Sequence, residues 1–291
     1  MRFTKMHGTG NDFVMVDARS AAARDWPKLA EAMCDRHFGI GADGLILMLP
    51  STQADLRMRM FNPDGSEAEM CGNGIRCFTK LALEEGMVAA AAEAFNAETG
   101  AGLLELRPVW QGARVEAVRV NMGVPIFEPE RIPMAMANSA LQPDAHGRAW
   151  VASAGIEVAG QSYRLACVSM GNPHAILFTD RDVALFPLEK LGPQFEHHPF
   201  FPRRVNFHVA NVLDRSTIRM RTWERGAGIT LACGTGACAT AVAAYARGLT
   251  DPKMDIQVPG GRLTIEWPGA GDVFMTGPVQ RVFAGDWPDG D

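Results

Sequence analysis

No apolar stretch in this 291-residue chain approaches the roughly 20 residues that a membrane-spanning helix needs. The opening, MRFTKMHGTGNDF, has no apolar h-region and no cleavage signature, so the expectation is a cytoplasmic protein. Long basic runs are missing as well. With 28 Lys and Arg against 33 Asp and Glu, the net charge of −5 argues against nucleic acid or an anionic membrane surface as a partner. The six cysteines (Cys34, Cys71, Cys77, Cys167, Cys233 and Cys238) form no Cys-x-x-Cys pair, which leaves a zinc ribbon or a thioredoxin-type motif without support. Lysine is scarce. Lys5, Lys28, Lys80, Lys190 and Lys253 are the only ones, and none sits in a recognisable Schiff-base context, so a pyridoxal cofactor finds no support either.

What remains is ordinary globular composition, 47% hydrophobic and 21% charged. At about 150 residues per domain the length points to two domains, each large enough to bury a core without disulfides. Reduced, buried cysteines acting as small hydrophobes are the starting expectation for all six.

A long-period repeat then sets two of the cysteines apart. RMRMFNPDGSEAEMCGNGIRCFTKLALEEG (Arg57–Gly86) and RMRTWERGAGITLACGTGACATAVAAYARG (Arg219–Gly248) align at a spacing of 162 residues, matching Arg-x-Arg, an aromatic (Phe61 or Trp223), Cys-Gly-x-Gly and a closing glycine. Upstream, Gly10-Asn11 pairs with Gly171-Asn172 at a spacing of 161. The halves read as duplicated domains. In each, an alternating segment (Leu56–Phe61, Thr217–Trp223) predicts a half-buried strand. A helix is expected after each Cys-Gly-x-Gly, over Ile75–Glu85 and Ala237–Arg247, ending at a glycine. Asn62-Pro63-Asp64-Gly65 predicts a turn. The second helix, Ala-rich nearly all round, is expected to be buried. Val124–Pro133 and Thr276–Pro278 are expected crossing points between domains, and Ala89–Ala94 a surface or linking segment.

Cys71 and Cys233 immediately precede a glycine-rich helix start. The unpaired first-turn amides and the helix dipole make such a place a carboxylate site. They are also expected to draw a thiol down from its free pKa of about 8.5 towards neutrality. Two such thiols in matching positions suit the inversion of a stereocentre: one removes the α-proton, the other delivers a proton to the opposite face, and the helix-start amides hold the enolate. Core packing is the competing reading, since duplication preserves packing residues too. It is favoured for Cys34, Cys77, Cys167 and Cys238.

HGTGNDF (His7–Phe13), FNPDGSEAEMCGNGIRC (Phe61–Cys77), MGNPH (Met170–His174), RVN (Arg204–Asn206) and ERGAG-x-T-x-ACGTGAC (Glu224–Cys238) resemble the diaminopimelate epimerase family, and PGG (Pro259–Gly261) and MTGP (Met275–Pro278) extend the match. The resemblance implies an α/β fold of two pseudo-symmetric domains, residues 1–121 with 278–291 and residues 122–277. Each would be a mixed β-sheet or barrel wrapped around a central helix, with the active site in the cleft. It further implies a pyridoxal-independent isomerase, without cofactor or metal, that converts LL-2,6-diaminopimelate into the meso form for lysine and peptidoglycan precursor synthesis. A homodimer is expected. Cys71 and Cys233 would be the acid/base thiols, with His174 and Glu224 setting their protonation states. Gly72, Asn73, Gly234 and Thr235 would hold the reacting carboxylate. Asn11, Asn62, Asn172, Asn206, Glu224 and Arg225 would hold the rest of the substrate. Three positions depart from the pattern: Gly44 replaces a substrate-contacting Gln of some members, Ile229 a common Glu, and Phe283 a dimer-contact Tyr. Two other readings stay open, a proline racemase-like isomerase and a non-catalytic redox or metal-binding cysteine protein.

Overall fold

The computed structural model describes residues 1–88, 93–135, 141–144 and 147–288. Most of the Ala-rich segment, residues 89–92, therefore lies outside the described residues. The chain forms two compact units, Met1–Asn121 with Thr276–Asp291, and Met122–Met275. Among the described residues no helix is long and apolar enough to cross a membrane.

In the first unit, Arg2–Gly8 and Asn11–Asp17 form an antiparallel hairpin. Its two turn residues, Thr9 and Gly10, both have positive φ (51° and 83°), the geometry that matches strand twist in a tight hairpin. Strand Gly44–Leu49 runs parallel to Asn11–Asp17, and Leu56–Phe61 pairs antiparallel with it. Phe95–Thr99 pairs parallel with Leu56–Phe61, Gly102–Gln111 and Arg114–Asn121 follow by hairpins, and Gln280–Asp286 pairs with Arg2–Gly8. Helix α1 (Trp26–Cys34) starts at Asp25, whose carboxylate accepts from the Lys28 amide. Helix α2 (Gly72–Glu84) is buried from Asn73 to Leu83 and packs against the strands at 2–8, 11–17, 44–49, 102–111 and 114–121. The sheet wraps around it.

The second unit repeats the plan. Pro173–Phe178 and Asn206–Asp214 run parallel, Thr217–Glu224 returns antiparallel, and Lys253–Val258 pairs parallel with that strand. Ala154–Val158, Gln161–Ser169, Gly228–Thr230 and Gly261–Glu266 complete the pairing. Alternation sends Ile176, Ala210, Ile218 and Met220 to one face, where they join the core around helix α4 (Gly234–Ala246). Helix α3 (Leu188–Glu196) packs against the strands at 154–158, 206–214, 217–224 and 228–230. Phe195 stacks on Phe207, with ring centroids 3.8 Å apart. Helix α4 is apolar all round and buried along nearly its whole length, so it depends on packing rather than on an amphipathic stripe.

Both motif helices begin three residues earlier than the sequence reading places them, at Gly72 and Gly234. Glycines at a helix start look like a turn. Here they serve close approach instead. A Cβ on Gly74 would lie 2.7 Å from Ile46 Cδ1, and one on Gly236 only 2.3 Å from His208 Cε1. Cys71 and Cys233 themselves are the residues that cap the helices, with extended backbones (φ −139° and −118°).

Candidate active site

Cys71 is half-buried at the α2 start, and its sulfur accepts a hydrogen bond from the Gly74 amide at 3.5 Å. The thiol lies 3.6 Å from Asn11 Oδ1, which also accepts from Asn73 Nδ2 at 3.0 Å. Asn11 in turn donates through Nδ2 to Asp43 at 2.7 Å, and Arg36 bridges Asp43 and Asp12. Beneath this lattice the fully buried Arg76 guanidinium donates to Thr9 Oγ1, Asn73 Oδ1 and the Gly72 carbonyl. Thr9, a β-branched residue at φ 51°, sits in a conformation that costs free energy and is held there by these bonds. Cys71, Gly72, Asn73 and Asn11 are thus brought together. The Asn62 side chain donates to Ser66 Oγ and its backbone amide to the Ser66 carbonyl, closing the turn after Leu56–Phe61.

Cys233 is buried. Its sulfur lies 3.7 Å from Thr235 Oγ1, to which Asn172 Nδ2 donates at 3.3 Å. Asn172 Oδ1 meets His174 Nε2 at 2.9 Å. Glu224 bonds the Cys233 side chain and accepts from Thr230 Oγ1 at 2.5 Å. Asn206 is buried with both ends of its amide engaged: Nδ2 donates to the Pro173 carbonyl, and Oδ1 accepts from the Arg225 amide, which fixes the backbone that carries the Arg225 side chain. Arg225 is itself exposed and donates to the Arg203 carbonyl.

The expectation of a lowered thiol fails at Cys233. Burial pushes this thiol well above its ordinary value and the negative charge of Glu224 adds to the rise; the Gly236 amide and the Thr235 hydroxyl oppose both without overcoming them. Cys233 therefore rests as a thiol. Burial also drives His174 well below the ordinary imidazole range, with His208 and Arg225 adding to the effect, so it is neutral. Cys34 and Cys77 are pushed up to about 12 by burial and Cys167 also rises. With Cys238 they are buried, as core packing requires.

Of the three departures, Gly44 has a simple steric correlate. A Cβ there would meet the Phe61 carbonyl oxygen at 2.9 Å and Met60 Cε at 3.1 Å. Ile229 is exposed on Gly228–Thr230, and Phe283 packs edge-on against Phe3 at 5.9 Å. The sequence reading missed His208, which meets His174 Nδ1 at 2.9 Å, and Thr222 beyond it. The available signal was a histidine two residues after Asn206, in a strand whose first six residues are all buried.

A model of the diaminopimelate epimerase family matches residues 3–128 and 166–282. The chain is 52% identical over 290 residues to the diaminopimelate epimerase of Moorella thermoacetica, covering 99% of each, and 46% identical over 287 residues to that of Acetivibrio thermocellus, covering 98% of each. Among solved structures, a PhzF-family phenazine biosynthesis protein of Bacillus anthracis superposes with a TM-score of 0.67 at 18% identity over 98% of both chains. A hydroxyproline epimerase of Agrobacterium vitis gives 0.67 at 17% identity, over 98% of this chain and 91% of that one. These two share the fold. The match in sequence runs through both Cys-Gly-x-Gly segments and nearly the whole length, and on it the chain belongs to the diaminopimelate epimerase family.

Proposed function

We propose that the chain interconverts LL- and meso-2,6-diaminopimelate in lysine biosynthesis, with Cys71 and Cys233 as the two acid/base groups. The observation that carries the mechanism is the pair of matched helix starts, each capped by a cysteine. Inverting a carbon by proton transfer needs a base on one face and an acid on the other. Cys233, held as a thiol by burial and Glu224, is the acid in the direction that starts from this state, and Cys71, entering the step as the thiolate, is then the group that takes the α-proton. The proton leaves Cα to the Cys71 sulfur, the electron pair passes into the carboxylate as an enolate, and the Cys233 proton closes the new C–H bond. Amides of Gly72, Asn73, Gly234 and Thr235 suit the enolate oxygens.

The remote end of diaminopimelate carries an ammonium and a carboxylate. Arg225, exposed on a backbone fixed by Asn206, is suited to the carboxylate. Asn62 belongs to the same proposed set. The proposal includes a cytoplasmic location, which six free cysteines fit. It also includes a homodimer, for which the exposed Val282 and Phe283 supply apolar surface.

The test is epimerisation in heavy water. Product formed early from LL substrate acquires deuterium at the inverted carbon while recovered substrate stays largely unlabelled, because each thiol serves one face. Labelling both isomers alike would refute two bases, and turnover of L-proline in place of diaminopimelate would refute the substrate.

A further inference from the structure

Beyond Asn172 and His174, a line of buried polar side chains continues within the second unit, away from the Cys233 sulfur. His174 Nδ1 meets His208 Nε2 at 2.9 Å, and His208 Nδ1 meets Thr222 Oγ1 at 2.9 Å. His208 and Thr222 are cross-strand partners, and His174 lies on the neighbouring parallel strand. All three side chains are at most 2% exposed.

The direction of each hydrogen bond follows from the donors and acceptors available. Asn172 donates through Nδ2 to Thr235 and so presents its carbonyl oxygen, an acceptor only, to His174. His174 must therefore carry its proton on Nε2. Being neutral, it has a lone pair at Nδ1, and His208 must donate to it from Nε2. Neutral His208 then accepts at Nδ1 from the Thr222 hydroxyl. At the other end Thr235 Oγ1 already accepts from Asn172, which leaves its own proton for the Cys233 sulfur 3.7 Å away. The polarity runs one way: Thr222, His208, His174, Asn172, Thr235, Cys233.

The duplicated unit shows that the fold does not need this line. By the spacing of the repeat and the strand register, His174, His208 and Thr222 correspond to Phe13, Ile46 and Met60, all apolar and buried. The room for the second imidazole is made by Gly236 in the Cys-Gly-x-Gly motif, where a Cβ would come within 2.3 Å of His208 Cε1 and 3.1 Å of Cys233 Sγ.

We propose that His208 is a positioning residue of the Cys233 half-site: with Thr222 it fixes the His174 tautomer and hence the Asn172 amide, so that the Thr235 hydroxyl donates to the Cys233 sulfur and steadies its thiolate. The charged groups facing the line are Glu224, beside Cys233, and Arg225, which acts on His174; helix α4 contributes none. The role rests on the proposed reaction only for its kinetic consequence.

The test uses ring 15N shifts of labelled histidine, which read tautomers directly, and the 13Cβ titration of labelled Cys233. In the wild type both His174 and His208 should be Nε2–H tautomers. His208→Leu should release His174 from that tautomer, move the Cys233 titration to higher pH, and lower kcat about tenfold with KM within about twofold. His208→Gln, whose amide nitrogen replaces Nε2 as donor, should restore kcat to within about threefold. Should His208→Leu fail to fold, Thr222→Val, which removes one hydroxyl at constant volume, should shift the Cys233 titration in the same direction. An unchanged His174 tautomer or an unchanged Cys233 titration in the folded variants would overturn the proposal. If the spectroscopic shifts occur but diaminopimelate is not turned over, the proposed reaction fails while the positioning role stands.

Discussion

Gly236→Ala sets two opposing magnitudes against each other. In an unconstrained helix interior, replacing Gly by Ala stabilises by about 1 kcal/mol. At this position the added Cβ would sit 2.3 Å from His208 Cε1 and 2.8 Å from its Nε2. The imidazole is held at both nitrogens by 2.9 Å hydrogen bonds and is fully buried, so it has nowhere to swing. Moving it breaks at least one bond, about 1 kcal/mol net, on top of the 1–3 kcal/mol typical of an overpacked core. The balance is a loss of about 1–3 kcal/mol, a fall of roughly 3–10 °C in the melting midpoint for a unit of this size. Gly74→Ala, the equivalent change in the first unit, is the internal control. Its Cβ would meet Ile46 Cδ1 at 2.7 Å, the far end of a flexible side chain, and otherwise only ordinary contacts at 3.4 Å and beyond. That variant should melt within about 3 °C of the wild type. Thermal unfolding followed by circular dichroism compares the midpoints of the two variants with that of the wild type. Gly236→Ala melting at or above Gly74→Ala would refute the reasoning, because helix propensity would then outweigh the His208 contact.

Three further outcomes are expected. Burial lowers the His208 pKa to about 3, so the unfolded chain takes up a proton first as pH falls; stability held above the unfolded value of about 6.5 should drop by about 2 kcal/mol at pH 5, and urea midpoints for His208→Gln should lack that share. Burial raises the Asp12 carboxyl, but hydrogen bonds from Arg36 and Lys5 prevail and hold it at about 2. Its contribution is therefore present above the unfolded value near 3.9 and lost as pH falls towards 2; Lys5→Met should cost about 2 kcal/mol and raise the Asp12 midpoint in a carboxyl 13C titration, Arg36 still sharing the charge. Glu224→Gln should lower the Cys233 thiol pKa, read by its 13Cβ shift, because it removes the charge that adds to burial; an unmoved titration would show that burial acts alone.

The duplicated strand, turn and helix were legible in the sequence because each is a local pattern: alternation at Leu56–Phe61, turn chemistry at Asn62–Gly65, Cys-Gly-x-Gly before a helix former run. The errors share one physical origin. Both motif helices run through their glycines, and Gly74 and Gly236 give room to Ile46 and His208 on strands nearly thirty positions earlier in the chain, which no local rule reports. The thiol of Cys233 was expected to fall because the helix start is visible in sequence, whereas burial and the approach of Glu224, which oppose it, are tertiary. His208 and Thr222 escaped notice because their partnership is a strand register.

The motif is duplicated, yet the groups around each sulfur are not. At Cys71 the neighbouring Asn11 is tied through Asp43 to Arg36 at the surface, so that half-site is braced by charge. At Cys233 the corresponding Asn172 is tied to two neutral imidazoles in the core, and a carboxylate stands against the thiol. A reaction run by one acid and one base requires that two chemically identical side chains differ in protonation at any instant. Identical surroundings would give both thiols the same affinity for the proton. On the proposed mechanism such a difference would be carried by the unlike surroundings of the two sulfurs, and it is at Phe13, Ile46 and Met60 against His174, His208 and Thr222 that the two halves have parted while keeping one backbone plan.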